Sequence, residues 1–126
     1  IYGRFQAVRS DGLLDLSAQP GSPSWLFWSP AVAATRPANL AANQEFRGAC
    51  AVIVEISTAH VQAIHTQTIC DRKPVPAPRC SLRQIWERAS KKGARRSYVA
   101  QIQFIDGRWY FAIDADQLSL QFPDDC

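Results

Sequence analysis

Methionine is missing from this chain altogether, and no apolar run approaches the roughly 18 residues that a membrane-spanning helix needs. Also missing are the ordered catalytic motifs: there is no GxSxG elbow, no HExxH zinc pair and no glycine-rich phosphate loop. The lack of methionine, with Ile1 as the opening residue, is read as a chain that follows a removed signal peptide or lipid-anchor segment. The lack of motifs leaves any enzymatic reading to rest on isolated polar residues. Cysteine spacing excludes more. Cys50, Cys70, Cys80 and Cys126 are separated by nineteen, nine and forty-five residues, so neither a CxxC redox motif nor a zinc knuckle can be built from them. An even count without metal spacing reads as two disulfides and hence as an exported chain, periplasmic or secreted.

What is present supports one domain over 1–126, with residues 1–45 helical and loop-like and 48–126 mainly antiparallel sheet carrying an inserted helix. A hydrophobic fraction of 47% supplies a core that the disulfides reinforce rather than replace. The net charge of +3 conceals an uneven distribution. From Asp71 to Arg96 there are nine bases against two acids, a local +7, whereas the rest of the chain carries five bases and nine acids, or −4. Such polarisation steers a charged partner and fades with salt.

Apolar spacing at Ile1, Phe5 and Val8 predicts an amphipathic helix over 1–11, ending near Asp11-Gly12. Turn chemistry follows in Gln19 to Ser24, and then the most hydrophobic tetrad, Trp25-Leu26-Phe27-Trp28. Ser29-Pro30 offers an N-cap and a first-turn proline for an alanine-rich helix up to Pro37, with a second helical piece from Leu40 to Gln44. The β-branched runs Cys50–Ile56 and Val61–Cys70 predict a hairpin about Ser57–His60. If opposed residue numbers sum to 120, Cys50 faces Cys70, and Val52, Val54, Ile56 and Ile64 share their face. That register favours a Cys50–Cys70 bridge and leaves Cys80 for Cys126, although three connectivities are open to four cysteines.

Lys73 to Pro78 reads as a stiff, polyproline-like connector. After it, Ser81 and Gln84 form a capping box, Leu82, Ile85, Trp86 and Ala89 form a helical stripe, and Gly93 closes a helix at about 81–92. Asp106-Gly107 between two alternating runs, Ser97–Ile105 and Arg108–Asp114, is a hairpin signal whose opposed numbers sum to 213. One face then collects Tyr98, Ala100, Ile102, Phe104, Trp109, Phe111 and Ile113. The fold class expected is α+β: N-terminal helices packed on a curved antiparallel sheet, with one further helix and two disulfides.

A helix reading Tyr2-Gly3-Arg4-Phe5 through Asp11-Gly12-Leu13-Leu14, an alanine-rich helical region, and a sheet ending in Phe104-Ile105-Asp106-Gly107-Arg108-Trp109 together resemble the nuclear-transport-factor-2-like, or cystatin-like, superfamily. The resemblance implies a small-molecule enzyme, a pocket binder, or a secretion-associated or immunity-type protein. The helix at 82–92 and the disulfides depart from that pattern.

Candidate chemistry is sparse. In the register summing to 120, Glu55 stands opposite His65, where a carboxylate would orient an imidazole as a general base; His60 is a turn residue. Asp114, Asp116, Asp124 and Asp125 match no calcium-loop spacing, so no metal and no cofactor are assigned. Arg88, Lys91, Lys92, Arg95 and Arg96 form a basic surface, but Trp86 and Tyr98 fall on core faces, which removes the stacking platforms that nucleic acid would need. Trp25 and Trp28 flank a proline-rich loop as candidate binding anchors. The reading is therefore an exported, non-enzymatic binding protein, an inhibitor or immunity-type protein that occludes a partner's active site. Its partner is another protein, a toxin or hydrolase with an acidic surface, met through Arg88, Lys91, Lys92, Arg95, Arg96, Trp25 and Trp28. The alternative is a small hydrolase or pocket enzyme using Glu55 and His65.

Overall fold

In the computed structural model, which describes residues 2–18, 23–28, 35–71 and 76–126, alternation rather than helical spacing governs the N-terminus. Strand β1 is Tyr2–Val8. Gly3 and Phe5 point into the protein while Arg4 and Gln6 point away, and Val8 is brought back inside by a β-bulge at which Ala7 takes φ +48°. The predicted helix over 1–11 is thus a strand. Phe5 satisfies both periods, and the bulge supplies the parity break at Val8 that mimicked a helical stripe.

The tetrad at 25–28 lies in β2, Ser24–Trp28, followed by β3, Arg47–Ile56, and β4, Val61–Ile69. The single helix among the described residues, α1, is Leu82–Lys91; then come β5, Ala100–Ile105, and β6, Arg108–Ile113. A 3₁₀ turn at Asp114–Asp116 leads into β7, Leu118–Pro123. All seven strands form one antiparallel sheet in the order β4-β3-β2-β1-β5-β6-β7. The protein is therefore mostly β. The alanine-rich helix after Ser29-Pro30 falls on residues outside those described, as do much of the turn at 19–22 and the connector at 72–75. Leu40 to Gln44 forms successive turns, with Leu40 N–H donating to the Pro37 carbonyl and Gln44 N–H to that of Ala41. The helix that carries the family resemblance is absent at 2–8.

Helix α1 is built as its sequence predicts. The Ser81 hydroxyl accepts from Gln84 N–H while the Gln84 amide oxygen accepts from Ser81 N–H, and Gly93 takes φ +99° beyond the last turn. Its buried stripe, Ile85, Trp86 and Ala89, packs on one face of the sheet against Phe5, Ile102, Phe104, Trp109, Phe111, Ile113 and Phe122. Trp86 meets Phe111 edge-on at 4.9 Å and donates its indole N–H to the Val8 carbonyl at 3.1 Å. The Asp-Gly hairpin has the expected register, with Gln101 opposite Ala112 and Phe104 opposite Trp109. Strand β5 begins at Ala100 rather than Ser97, since 97–99 are not in the ladder.

Two clamps hold the ends. Asp124 accepts from Arg79 N–H, Cys80 N–H and the Trp109 indole at 2.8–2.9 Å, beside the Cys80–Cys126 disulfide. Asp71 accepts from Phe46 N–H at 2.7 Å and from Arg36, which also donates to the carbonyls of Ala41 and Gln44. This second clamp fastens the β2–β3 loop at the base of the β3–β4 hairpin, next to the Cys50–Cys70 disulfide.

Candidate functional site

Strand register places each predicted site residue. The β3–β4 loop closes through Ser57, whose hydroxyl accepts from Ala59 N–H and His60 N–H while Ser57 N–H donates to the His60 carbonyl. That tight closure pairs Ile56 directly with Val61, so opposed numbers sum to 117, not 120. Because the shift is odd, half the side chains change faces. Glu55 lies opposite Gln62 and accepts from its amide at 3.1 Å, while His65 lies opposite Val52. Glu55 and His65 therefore sit on opposite faces of the ribbon, and the carboxylate–imidazole pair does not form. Cys50 still reaches Cys70 because a second irregularity between Gly48 and Ala51 restores the parity.

The helix-side face of the sheet continues past β1 in apolar residues of β2 and β3 and reaches β4 at Val61 and Ala63, with His65 on the same face opposite Val52. Gly3 lies opposite Trp25, and Trp25 opposite Val54; Phe27 lies opposite Val52, and Ile56 opposite Val61. Helix α1 covers the β1-β5-β6-β7 half, where the same face is fully buried. On the β2-β3-β4 arm burial falls away: Phe27 is 39% exposed and Val61 67%. Trp25 is half-buried, edge-on to Phe5 at 4.7 Å and 6.5 Å from Phe27. Trp28 is half-buried on the outer face, opposite Ala51, and there Ile64 is 43% exposed opposite Ile53. Strand β4 ends the sheet. Its nine residues carry no acid, lysine, arginine or proline, the devices that usually guard such an edge.

The basic segment is quieter than its charge count suggests. Arg88 bonds Asp125 at 2.6 Å and the Pro123 carbonyl, while Arg95 forks onto Asp116 and stacks 4.8 Å from the Tyr98 ring centroid. The hydrogen bond from Arg95 holds the Asp116 carboxyl below its usual range, and the Asp116 carboxylate in turn raises the Arg95 guanidinium. Lys92 lies over the Phe122 ring at 5.7 Å, and Arg96 reaches the Ser90 hydroxyl. Lys91, Lys92 and Arg96 make no ion pair among the described residues. The acids counted as a remote balance, Asp116 and Asp125, in fact fold back onto these bases. Asp124 is likewise a structural acceptor rather than part of a loose tail. Among the described residues no three His, Cys, Asp or Glu side chains group as a metal site.

Sequence reasoning missed β7, whose Leu118, Leu120 and Phe122 alternate, and it missed the exposed edge. The alternation was the available signal for the first; nothing local marks which strand will be outermost. The pairing of all four cysteines points to an oxidising, extracytoplasmic compartment. No helix among the described residues is long and apolar enough to cross a membrane. No known protein family matches the chain, and neither a curated protein nor a solved structure shows significant similarity to it.

Proposed function

We propose that this is a periplasmic or secreted binding protein of the inhibitor or immunity type, and that its contact element is the β2-β3-β4 arm. The single observation that carries the reading is the core face running beyond α1 onto half-buried Val52 and Val54 and exposed Phe27 and Val61, beside an outermost strand, among the described residues, that carries no acid, lysine, arginine or proline. The occupant is an extended segment of a partner protein, added to β4 as an eighth strand. Backbone groups on the outer side of β4 supply affinity, and the alternating apolar side chains supply register. A disulfide and the Arg36–Asp71 clamp at the base of the arm reduce the order lost on binding. Lys91, Lys92 and Arg96 steer an acidic partner without forming the contact itself.

The test is capture from extracytoplasmic extract by the wild-type protein and by the double variant Val61→Lys/Ile64→Lys, with thermal unfolding of both. Both side chains are exposed, so the variant is expected to fold normally while a lysine-bearing edge refuses the added strand. Loss of one specific partner in the variant supports the reading. Equal capture by both proteins, or no partner for either at low salt, overturns it.

A further inference from the structure

Five residues of β4 present backbone groups that no described part of the chain takes up. Ile56 N–H donates to the Pro23 carbonyl, on the β2 side, at 3.1 Å, so the Ile56–Val61 pair is one that exchanges no hydrogen bonds. At the other end of the strand Cys70 N–H donates to the Phe46 carbonyl, toward β3, at 2.6 Å. Both ends give the same parity: Gln62, Ile64, Thr66 and Thr68 bond to β3, while Val61, Ala63, His65, Gln67 and Ile69 turn N–H and C=O outward. The extra residue of the irregularity between Gly48 and Ala51 lies on β3, so β4 alternates without interruption. No turn or loop hydrogen bond between backbone groups of the described residues reaches those five.

The strand is close to its own complement. Laid antiparallel against a second β4 about a two-fold axis through His65, Val61 meets Ile69 of the other copy, Ala63 meets Gln67, and His65 meets His65. Every outward residue then faces an outward residue, and the pairs exchange about ten hydrogen bonds. Moving the axis to Ala63 or Gln67 leaves two of the five outward residues without a partner strand. Side chains agree with the backbone: Val61 lies beside Ile69, Gln62 beside Thr68 and Ile64 beside Thr66, and no acid, lysine or arginine on β4 sets like charges together. We infer that β4 pairs with β4 of a second copy of this chain, in a two-fold dimer whose sheet is continuous across both copies. The contact is one strand wide, at the small end of interface size, so the dimer is weak and opens in dilute solution. This inference does not rest on the partner reading above; it states what occupies the edge when the chain is concentrated and the partner is absent. The axis also makes the dimer sensitive to pH. Two His65 rings stand directly opposite, about 5.5 Å apart between Cα atoms, and imidazole is the ordinary side chain that gains charge between pH 8 and 5. The neighbours of each ring on its face are Val52 and Val54 of β3 and Ala63 and Gln67 of β4, with Phe27 of β2 beyond Val52. None of these neutralises a charge. Arg47, paired with Glu45, stands opposite Ile69, about 13 Å along the strand and past the screening distance at physiological salt. His60 is in the loop beside Ser57, outside the ladder. Acid therefore sets two imidazolium ions against each other at the centre of the interface.

The experiment is sedimentation of the purified chain over roughly 5 to 500 µM, at about pH 7.5 and about pH 5, with amide hydrogen exchange at both ends of the concentration range. A reversible dimer is expected at the higher pH, with a dissociation constant at least about tenfold larger at the lower. Within β4, concentration should slow exchange only at Val61, Ala63, His65, Gln67 and Ile69, because the amides between them already bond to β3. His65→Val should keep the dimer and lose its pH response. Ala63→Pro removes a donor that only the dimer uses and should be monomeric, and Ala63→Lys, the milder change at an exposed position, should be monomeric with an unaltered unfolding midpoint. A monomer at the highest concentration overturns the inference. So does a dimer whose five outward amides exchange as in the monomer, a pH response that survives in His65→Val, or a folded Ala63→Lys that still dimerises. A chain that stays monomeric yet captures a partner defeats this inference alone, and a dimer that captures none defeats the partner reading alone.

Discussion

Removing the Cys80–Cys126 bridge tests how the C-terminus is held. The bridge joins the start of α1 to the chain end across 46 residues, and the Cys50–Cys70 bridge spans 20 within one hairpin. Chain-entropy arithmetic gives about 4 kcal/mol for the first and about 3.3 kcal/mol for the second. Against a total of roughly 5–15 kcal/mol for a domain, either loss is large. The structure separates them further. Cys80 belongs to the main core and lies beside the Asp124 clamp, so its bridge opposes global unfolding. Cys50 and Cys70 are buried at the base of an arm that α1 does not cover, so their bridge opposes local opening. The assay is urea unfolding of Cys80→Ala/Cys126→Ala and of Cys50→Ala/Cys70→Ala, with hydrogen exchange on both. With a slope of about 2 kcal/mol/M, the first pair should lower the midpoint by roughly 2 M. The second should lower it less and accelerate exchange in β3 and β4, leaving β5 to β7 protected. A larger midpoint loss from the arm pair, or almost none from the C-terminal pair, would refute the division into a core bridge and an arm bridge.

Three further outcomes follow from individual contacts. Asp124→Ala removes the acceptor for three N–H donors and should cost about 2–4 kcal/mol by denaturant unfolding; burial opposes ionisation of Asp124, but the Cys80, Arg79 and Trp109 donors outweigh it and depress the carboxyl below 3.8. Its stabilisation is therefore complete above that pH and lost as the pH falls through the depressed folded value, so the variant should show a flatter stability profile below about pH 4. Trp86→Phe removes the indole donor to the Val8 carbonyl, which keeps its ladder position opposite Ala100, and should cost about 1 kcal/mol, read by thermal unfolding. Gly12→Ala must hold φ +83° with its Cβ 2.8 Å from the Arg83 backbone nitrogen, so a loss of about 2 kcal/mol or more is expected, whereas Gly107→Ala, at φ +78° with open space, should cost less.

The difference between legible and illegible features lies in range. The capping box at Ser81 and the Asp-Gly turn were readable because each completes its hydrogen bonds within a few residues. Alternating burial on β5 and β6 followed from that turn, which fixes register at the point of reversal. Tyr2–Val8 was misread because a bulge, set by pairing with a strand about a hundred residues away, breaks its alternation where a helical stripe would place Val8. The β3–β4 register was misjudged by three because the Ser57 closure was not visible in a loop of ordinary turn residues, and with it went the Glu55–His65 pair.

Sequence alone thus determined the four-cysteine signature of an oxidising compartment, the helix from 82 to 91 and the Asp106-Gly107 hairpin, all from local chemistry or simple counting. Only the tertiary structure decided which of the described strands ended the sheet and which acids came home to the arginines. These depend on strand order and register, and a strand's own residues do not encode its neighbours: the same alternation serves at the centre of a sheet and at its rim.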